Sequence, residues 1–249
     1  MKKQRHKTDK WAKMFKKRLG TNPLERIIKF ANINYEFHQL IQSKFNKNIS
    51  FIEYGAGTAF HSFCFNIYGY KGTATDVDDS VLNLIKKTAK KLQINIKIEK
   101  QDIINNKIQV KNKTFTFSDG VLEHFTKEEI IKSLKNQKSA DYITFSVPTK
   151  KAKLDETSYG DEILYPYKEW IKMCKEVYPN SKIEVYPVCS SKLIFIILRK
   201  IIPFISEDRS KFNKIIKIIN NLLFKIENRY AASIWVLIYN NEKHNTSIK

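Results

Sequence analysis

Cysteine is scarce in this chain of 249 residues: there are three (Cys64, Cys174 and Cys189), scattered and forming no Cys-x-x-Cys pair. That pattern excludes a disulfide framework and a cysteine-based structural zinc, so no metal site is expected. No run of 18 uncharged apolar residues exists, so no membrane-spanning helix is expected. The N-terminus is basic but lacks the apolar core of a secretion signal, which predicts a cytoplasmic protein, with peripheral membrane contact left open. Acids are few as well, 25 against 45 Lys and Arg, giving a net charge of +20. A basic surface attracts phosphate. Here only six of the basic residues are Arg, and the lysines are spread along the chain. The richness in Lys, Ile and Asn reads as a nucleotide-composition bias of the source genome rather than as a binding stripe. The one concentrated patch is Met1 to Arg18, with nine basic residues and one acid, Asp9. It is either a mobile arm or the polar face of a helix carrying Trp11, Met14 and Phe15, suited to a membrane surface.

Glycine is the next shortage, seven in all, and two of them stand in Ile52-Glu53-Tyr54-Gly55-Ala56-Gly57-Thr58-Ala59-Phe60. This is a short apolar strand ending in an acid, then a tight turn opening a helix, where glycine lets the backbone approach a ligand. Asp76 follows Gly55 by 21 residues, at the end of a second strand segment, Gly72-Thr73-Ala74-Thr75. An acid about 20 residues beyond a glycine turn is where a βαβ unit places a carboxylate on ribose hydroxyls. A dinucleotide fingerprint wants a third glycine at position 60, which is Phe.

The form Glu-x-Gly-x-Gly-x-Ala instead resembles the first motif of the class I S-adenosylmethionine-dependent methyltransferases. The resemblance continues in order through Thr75-Asp76-Val77-Asp78, Glu99-Lys100-Gln101-Asp102-Ile103 and Phe117-Ser118-Asp119-Gly120-Val121-Leu122-Glu123-His124-Phe125. It departs where the usual third glycine of the first motif is Ala59, and where the acid at the start of strand four is replaced near Thr114. The resemblance implies S-adenosyl-L-methionine as cofactor. It implies that Glu53, Gly55, Ala56 and Gly57 meet its amino-acid end, Asp76 and Val77 its ribose, and Asp102 and Ile103 its adenine. Ser118 and Asp119 would lie beside the methyl donor. Asp102 has a second reading as a turn cap.

Strands at 50–54, 72–76, 95–100, 114–118 and 141–147 alternate with helices at about 58–68, 79–92 and 127–138, after a helical stretch over 22–46. That alternation predicts a doubly wound α/β fold with helices on both faces of a mostly parallel sheet. The resemblance implies seven strands, the last two being Ile183–Pro187 and Ser233–Tyr239. Roughly 45 residues separate them, far beyond a hairpin loop. The expected organisation is a basic N-terminal helical extension (1–47), a cofactor-binding core (48–188), an apolar helical insertion (189–231) and a last strand with tail (232–249). In the insertion, ten of the 13 residues Leu193–Ile205 are Leu, Ile or Phe, with Arg199 and Lys200 between them. The run is either a buried cap or a surface for lipid or self-association.

Methyl transfer needs chiefly an acceptor held behind the methyl group, with a base only where the acceptor must lose a proton. His124 is the candidate base or pocket-shaping residue, with His61 and His38 as alternatives. Ligands sit outside the carboxyl ends of the strands in such folds, which makes the loop after strand five, with Tyr159, Glu162 and Tyr165, the candidate acceptor wall. The expected activity is methyl transfer to a small molecule or a glycan or lipid intermediate. Alternatives are an RNA methyltransferase, although no Asn/Asp-Pro-Pro-aromatic run or separate RNA module is present, and a non-catalytic module keeping the fold.

Overall fold

In the computed structural model, residues 8–110, 112–150, 152, 162–188 and 233–241 are described. Seven strands form one sheet in the order β3-β2-β1-β4-β5-β7-β6: β1 (Ser50–Tyr54), β2 (Gly72–Asp76), β3 (Lys97–Lys100), β4 (Thr114–Asp119), β5 (Tyr142–Pro148), β6 (Lys182–Val188) and β7 (Ser233–Tyr239). The first five run parallel, and β7 lies antiparallel between β5 and β6. The central strands bury both faces, as parallel strands covered by helices must. Phe51, Phe115, Phe117, Trp235 and Leu237 pack on one face against Phe37 and Ile41 of α3 (Tyr35–Lys44) and Phe45 just after it. The Phe37 and Trp235 rings stack at 3.6 Å. On the other face Tyr54, Phe145, Val147, Val236 and Ile238 meet α6 (Lys127–Asn136) and α7 (Tyr167–Val177).

Local signals set the helix ends. Asn22 accepts from the Glu25 N–H and Pro23 fills the first turn of α2 (Pro23–Ile33). The helical stretch expected over 22–46 is two helices, because the N–H and the side-chain amide of Asn34 both donate to the Phe30 carbonyl and close α2 there. Thr126 and Glu129 form a reciprocal cap that starts α6. Ahead of these lies α1 (Thr8–Leu19), which places Trp11, Phe15 and Leu19 on one face, against α4 (Phe60–Ile67), α5 (Asp79–Leu92) and the turn before α4. The chain order reverses between β1 and β4, so their carboxyl ends open the crevice where such sheets take ligands. The insertion expected over 189–231, with its apolar run 193–205, lies outside the described residues.

Candidate functional site

The turn after β1 is held in a shape that requires its glycines. Gly55 and Gly57 have φ of +59° and +55°, and Ala59 shares the left-handed conformation at +55°. A Cβ on Gly55 would stand 2.6 Å from a Val121 methyl, and one on Gly57 2.7 Å from the Phe15 ring. The turn is tied to the end of β2. The Ala56 N–H donates to the Thr75 carbonyl (2.9 Å), and the Gly57 N–H to Asp76 Oδ2 (3.2 Å). Asp76 Oδ1 accepts from the Asp78 N–H at 3.1 Å. Burial raises the Asp76 pKa, against the lowering pull of the Asp78, Gly57 and Val77 N–H groups. A carboxylate offers about four lone-pair sites, so Asp76 retains acceptor capacity beyond these bonds.

Two further acceptors lie next to it. Gln101 donates its N–H to the Asp76 carbonyl at 3.0 Å, yet its buried Oε1 has no hydrogen-bond partner among the described residues. The same holds for Asp78 Oδ2, whose sister oxygen caps α5 at the Ser80 N–H. Buried acceptors left this way are costly unless a ligand donor meets them. Asp102 is engaged locally, accepting from the Ile104 N–H (2.8 Å) and the Asn105 side chain (2.6 Å). It caps the turn 102–106, with Ile103 buried behind it. Glu53 is buried under the glycine turn, accepting from the Ser62 N–H (3.1 Å) and hydroxyl. Burial pushes its carboxyl up to about 7, against the opposing pull of His61 and Ser62.

The other wall of the crevice comes from β4. Ser118 is buried, and Asp119 beside it is one-third exposed and accepts from His61 Nε2 at 3.2 Å. Burial raises the Asp119 carboxyl, but the hydrogen bond from His61, the Ser146 hydroxyl and Arg18 outweigh it and hold the carboxyl below the usual range. His124 ends a short 3-10 turn (Leu122–His124), and the Trp11 ring meets its imidazole edge-on at 5.7 Å. Half-buried Glu162 adjoins this turn, since the next residue, Ile163, donates its N–H to the Glu123 carbonyl at 2.7 Å. Tyr165 turns away to pack on Trp170 in the core. Tyr159 lies outside the described residues.

The turn after β1 thus lies between Asp76 at the end of β2 and Asp119 at the end of β4, with Glu53 buried beneath it. His61 is the residue whose importance the sequence understated. It reaches Asp119 from α4 across 58 positions of chain, and no local spacing rule joins them. Phe15 and Trp11 were likewise legible as an apolar helix face but not as a cover over Gly57.

No family model matches the sequence, and no curated protein matches it. Solved structures do match by fold. The magnesium protoporphyrin IX methyltransferase of Synechocystis PCC 6803 with bound S-adenosylhomocysteine shares 11% identity at a TM-score of 0.58, covering 91% of this chain and 92% of that one. A methyltransferase of Aquifex aeolicus, described as dependent on S-adenosylmethionine, shares 16% at 0.54, over 74% and 93%. The methyltransferase domain of bacterial CtHen1-C shares 12% at 0.55, over 84% and 97%. The fold is that of the class I S-adenosylmethionine-dependent methyltransferases.

Proposed function

We propose that this protein is an S-adenosylmethionine-dependent methyltransferase acting on a small molecule or a glycan or lipid intermediate. The observation that carries the reading is Asp76. It stands at the carboxyl end of β2, next to the reversal between β1 and β4, bonded to the Gly57 N–H, with spare acceptor capacity and two unsatisfied acceptors, Gln101 Oε1 and Asp78 Oδ2, close by. Those three acceptors suit the hydroxyls of a ribose and the amino group of an adenine. S-adenosylmethionine supplies a methyl group on a positively charged sulfur.

The chain's residues then divide the work. Gly55, Ala56 and Gly57 bring backbone close to the amino-acid end, and buried Glu53 anchors the start of α4 through Ser62. Asp76, with Val77 exposed next to it, holds the ribose. Asp102, tied into its own turn, shapes the adenine side with Ile103 and leaves the direct polar contact to Gln101. Ser118 and Asp119 flank the reacting centre, while His124 and Glu162 line the acceptor side; Tyr159, outside the described residues, is assigned to the same role on its place in the sequence alone. Calorimetry tests the reading: S-adenosylhomocysteine should bind and NAD should not. NAD bound more tightly would overturn it.

RNA as acceptor is the second reading, favoured by the exposed Lys13, Lys16, Lys17 and Arg18 on α1 beside the crevice. Binding of a short RNA should then fall steeply with salt, as log affinity against log concentration. Affinity for RNA that is absent or shallow in salt leaves the small-molecule reading.

A further inference from the structure

Asp119, His61, His38 and Tyr68 form one hydrogen-bonded line leading from the crevice into the helical layer. His61 Nε2 lies 3.2 Å from Asp119 Oδ2, His61 Nδ1 3.0 Å from His38 Nε2, and the Tyr68 hydroxyl 3.4 Å from His38 Nδ1. Both imidazoles are buried, His38 at 1% and His61 at 2% exposure, among Phe30, Phe37, Phe65 and Trp235. Burying two imidazoles in an aromatic core is costly unless their hydrogen bonds are all made. With both imidazoles neutral, one proton arrangement makes them all. An ionised Asp119 only accepts, so His61 carries its hydrogen on Nε2 and accepts at Nδ1. His38 then donates from Nε2 and accepts the Tyr68 hydroxyl at Nδ1. Burial, reinforced by His61, pushes His38 down to about 3, which keeps it neutral in this role. Every donor in the line points toward Asp119.

Binding the methyl donor does not call for such a line, because the glycine turn and Asp76 are complete without it. What it secures is an ionised carboxylate with a fixed orientation at the end of β4, flanking the reacting centre. Asp119 keeps acceptor capacity after His61 and Ser146 have bonded to it. The groups facing it are His61, Ser146 and Arg18, with Glu53 close enough to interact. A carboxylate acceptor carries no proton to lose, and a neutral amine attacks through its lone pair and becomes an ammonium, which sheds a proton to water afterwards. A hydroxyl acceptor differs, since its oxygen becomes strongly acidic as the methyl arrives. A protonated amine is disfavoured by Arg18 and by exposed Lys13, Lys16 and Lys17 along α1.

Resting on the methyltransferase reading above, we propose that the acceptor atom is a hydroxyl oxygen and that Asp119 takes its proton, with His61 and His38 as positioning residues. The balance is simple: one O–CH3 bond forms, one S–CH3 bond breaks with its electron pair left on sulfur, and the hydroxyl proton passes to Asp119. From there it leaves to solvent, to which the Asp119 side chain is one-third open.

The test uses the full chain saturated with S-adenosylhomocysteine. By carbon NMR the Asp119 carboxyl should titrate below the ordinary aspartate range. His61→Phe, which removes the donor, should raise that midpoint by about one pH unit or more, and His61→Gln, which keeps an N–H, should restore most of it. An unchanged midpoint in His61→Phe, with S-adenosylhomocysteine still bound, overturns the positioning role. In parallel, tritiated S-adenosylmethionine is incubated with the protein and a small-molecule extract of the source cells. Label that is stable to alkali, not retained on a cation exchanger and released as methyl iodide by hydriodic acid is a methyl ether and supports the hydroxyl, whereas neutral label that hydriodic acid leaves in place is a C-methyl group and overturns it. Label released as methanol by alkali, or retained as a cation, overturns it while leaving the methyltransferase reading intact. Failure of the wild-type chain to bind S-adenosylhomocysteine overturns that reading instead.

Discussion

Glu53 keeps a carboxyl at a position where its charge is poorly solvated, and the consequence is measurable. Burial raises it to about 7, above the 4.5 of an ordinary glutamate. Between those values the folded chain binds more protons than the unfolded one, so this residue's contribution makes stability fall as pH rises through that window. Glu53→Gln should therefore gain on the wild type from pH 5 to pH 7 and level off above it, by at most about 1.4 kcal/mol per pH unit. Urea denaturation across pH checks this, and a constant difference between the two proteins would contradict it. Gly57 is constrained in another way, by its φ of +55° and by the Phe15 ring 2.7 Å from where a Cβ would stand. Gly57→Ala should cost roughly 1–2 kcal/mol for the left-handed backbone alone. Both residues were legible in the sequence, since an acid before a glycine turn is a local pattern. The His61–Asp119 contact was not, because it depends on how α4 lies across β4.

At the scale of elements, α1 is the cover of the site. Its apolar face, Trp11, Phe15 and Leu19, recurs every fourth residue, which the sequence displays plainly. Where that face docks is set by the aromatic and glycine surface left by the turn and α5, which no helix period encodes. If Phe15 presses on Gly57 as the geometry has it, the cost of Gly57→Ala should be partly relieved by Phe15→Ala. The double variant should be more stable than the sum of the single effects by roughly 0.5 kcal/mol or more, and strict additivity would place α1 elsewhere. The strands were legible because short segments rich in Phe, Ile, Tyr and Thr alternate with segments of helical period, and that 183–187 and 233–239 supply the last two strands followed from the family resemblance. The division of residues 22–46 was not, since Asn34 breaks the helix through its side-chain bond to Phe30 rather than through Gly or Pro.

For the whole molecule, the net charge of +20 and the seven-stranded sheet make separate statements. The sheet, through its reversal between β1 and β4, fixes where a ligand sits; the charge bears on what approaches. Among the described residues no helix is long and apolar enough to cross a membrane, and no cluster of metal-ligating side chains occurs. Within the crevice, the reading of the methyl donor rests on Asp76. The most direct measurement is calorimetric titration of the full chain and of Asp76→Ala with S-adenosylhomocysteine and with NAD. The wild type should bind S-adenosylhomocysteine and not NAD. The variant should lose about 1.5–3 kcal/mol for each charge-assisted bond to the ribose, roughly tenfold or more in affinity. Equal affinity in the two proteins, or tighter binding of NAD, would contradict the account.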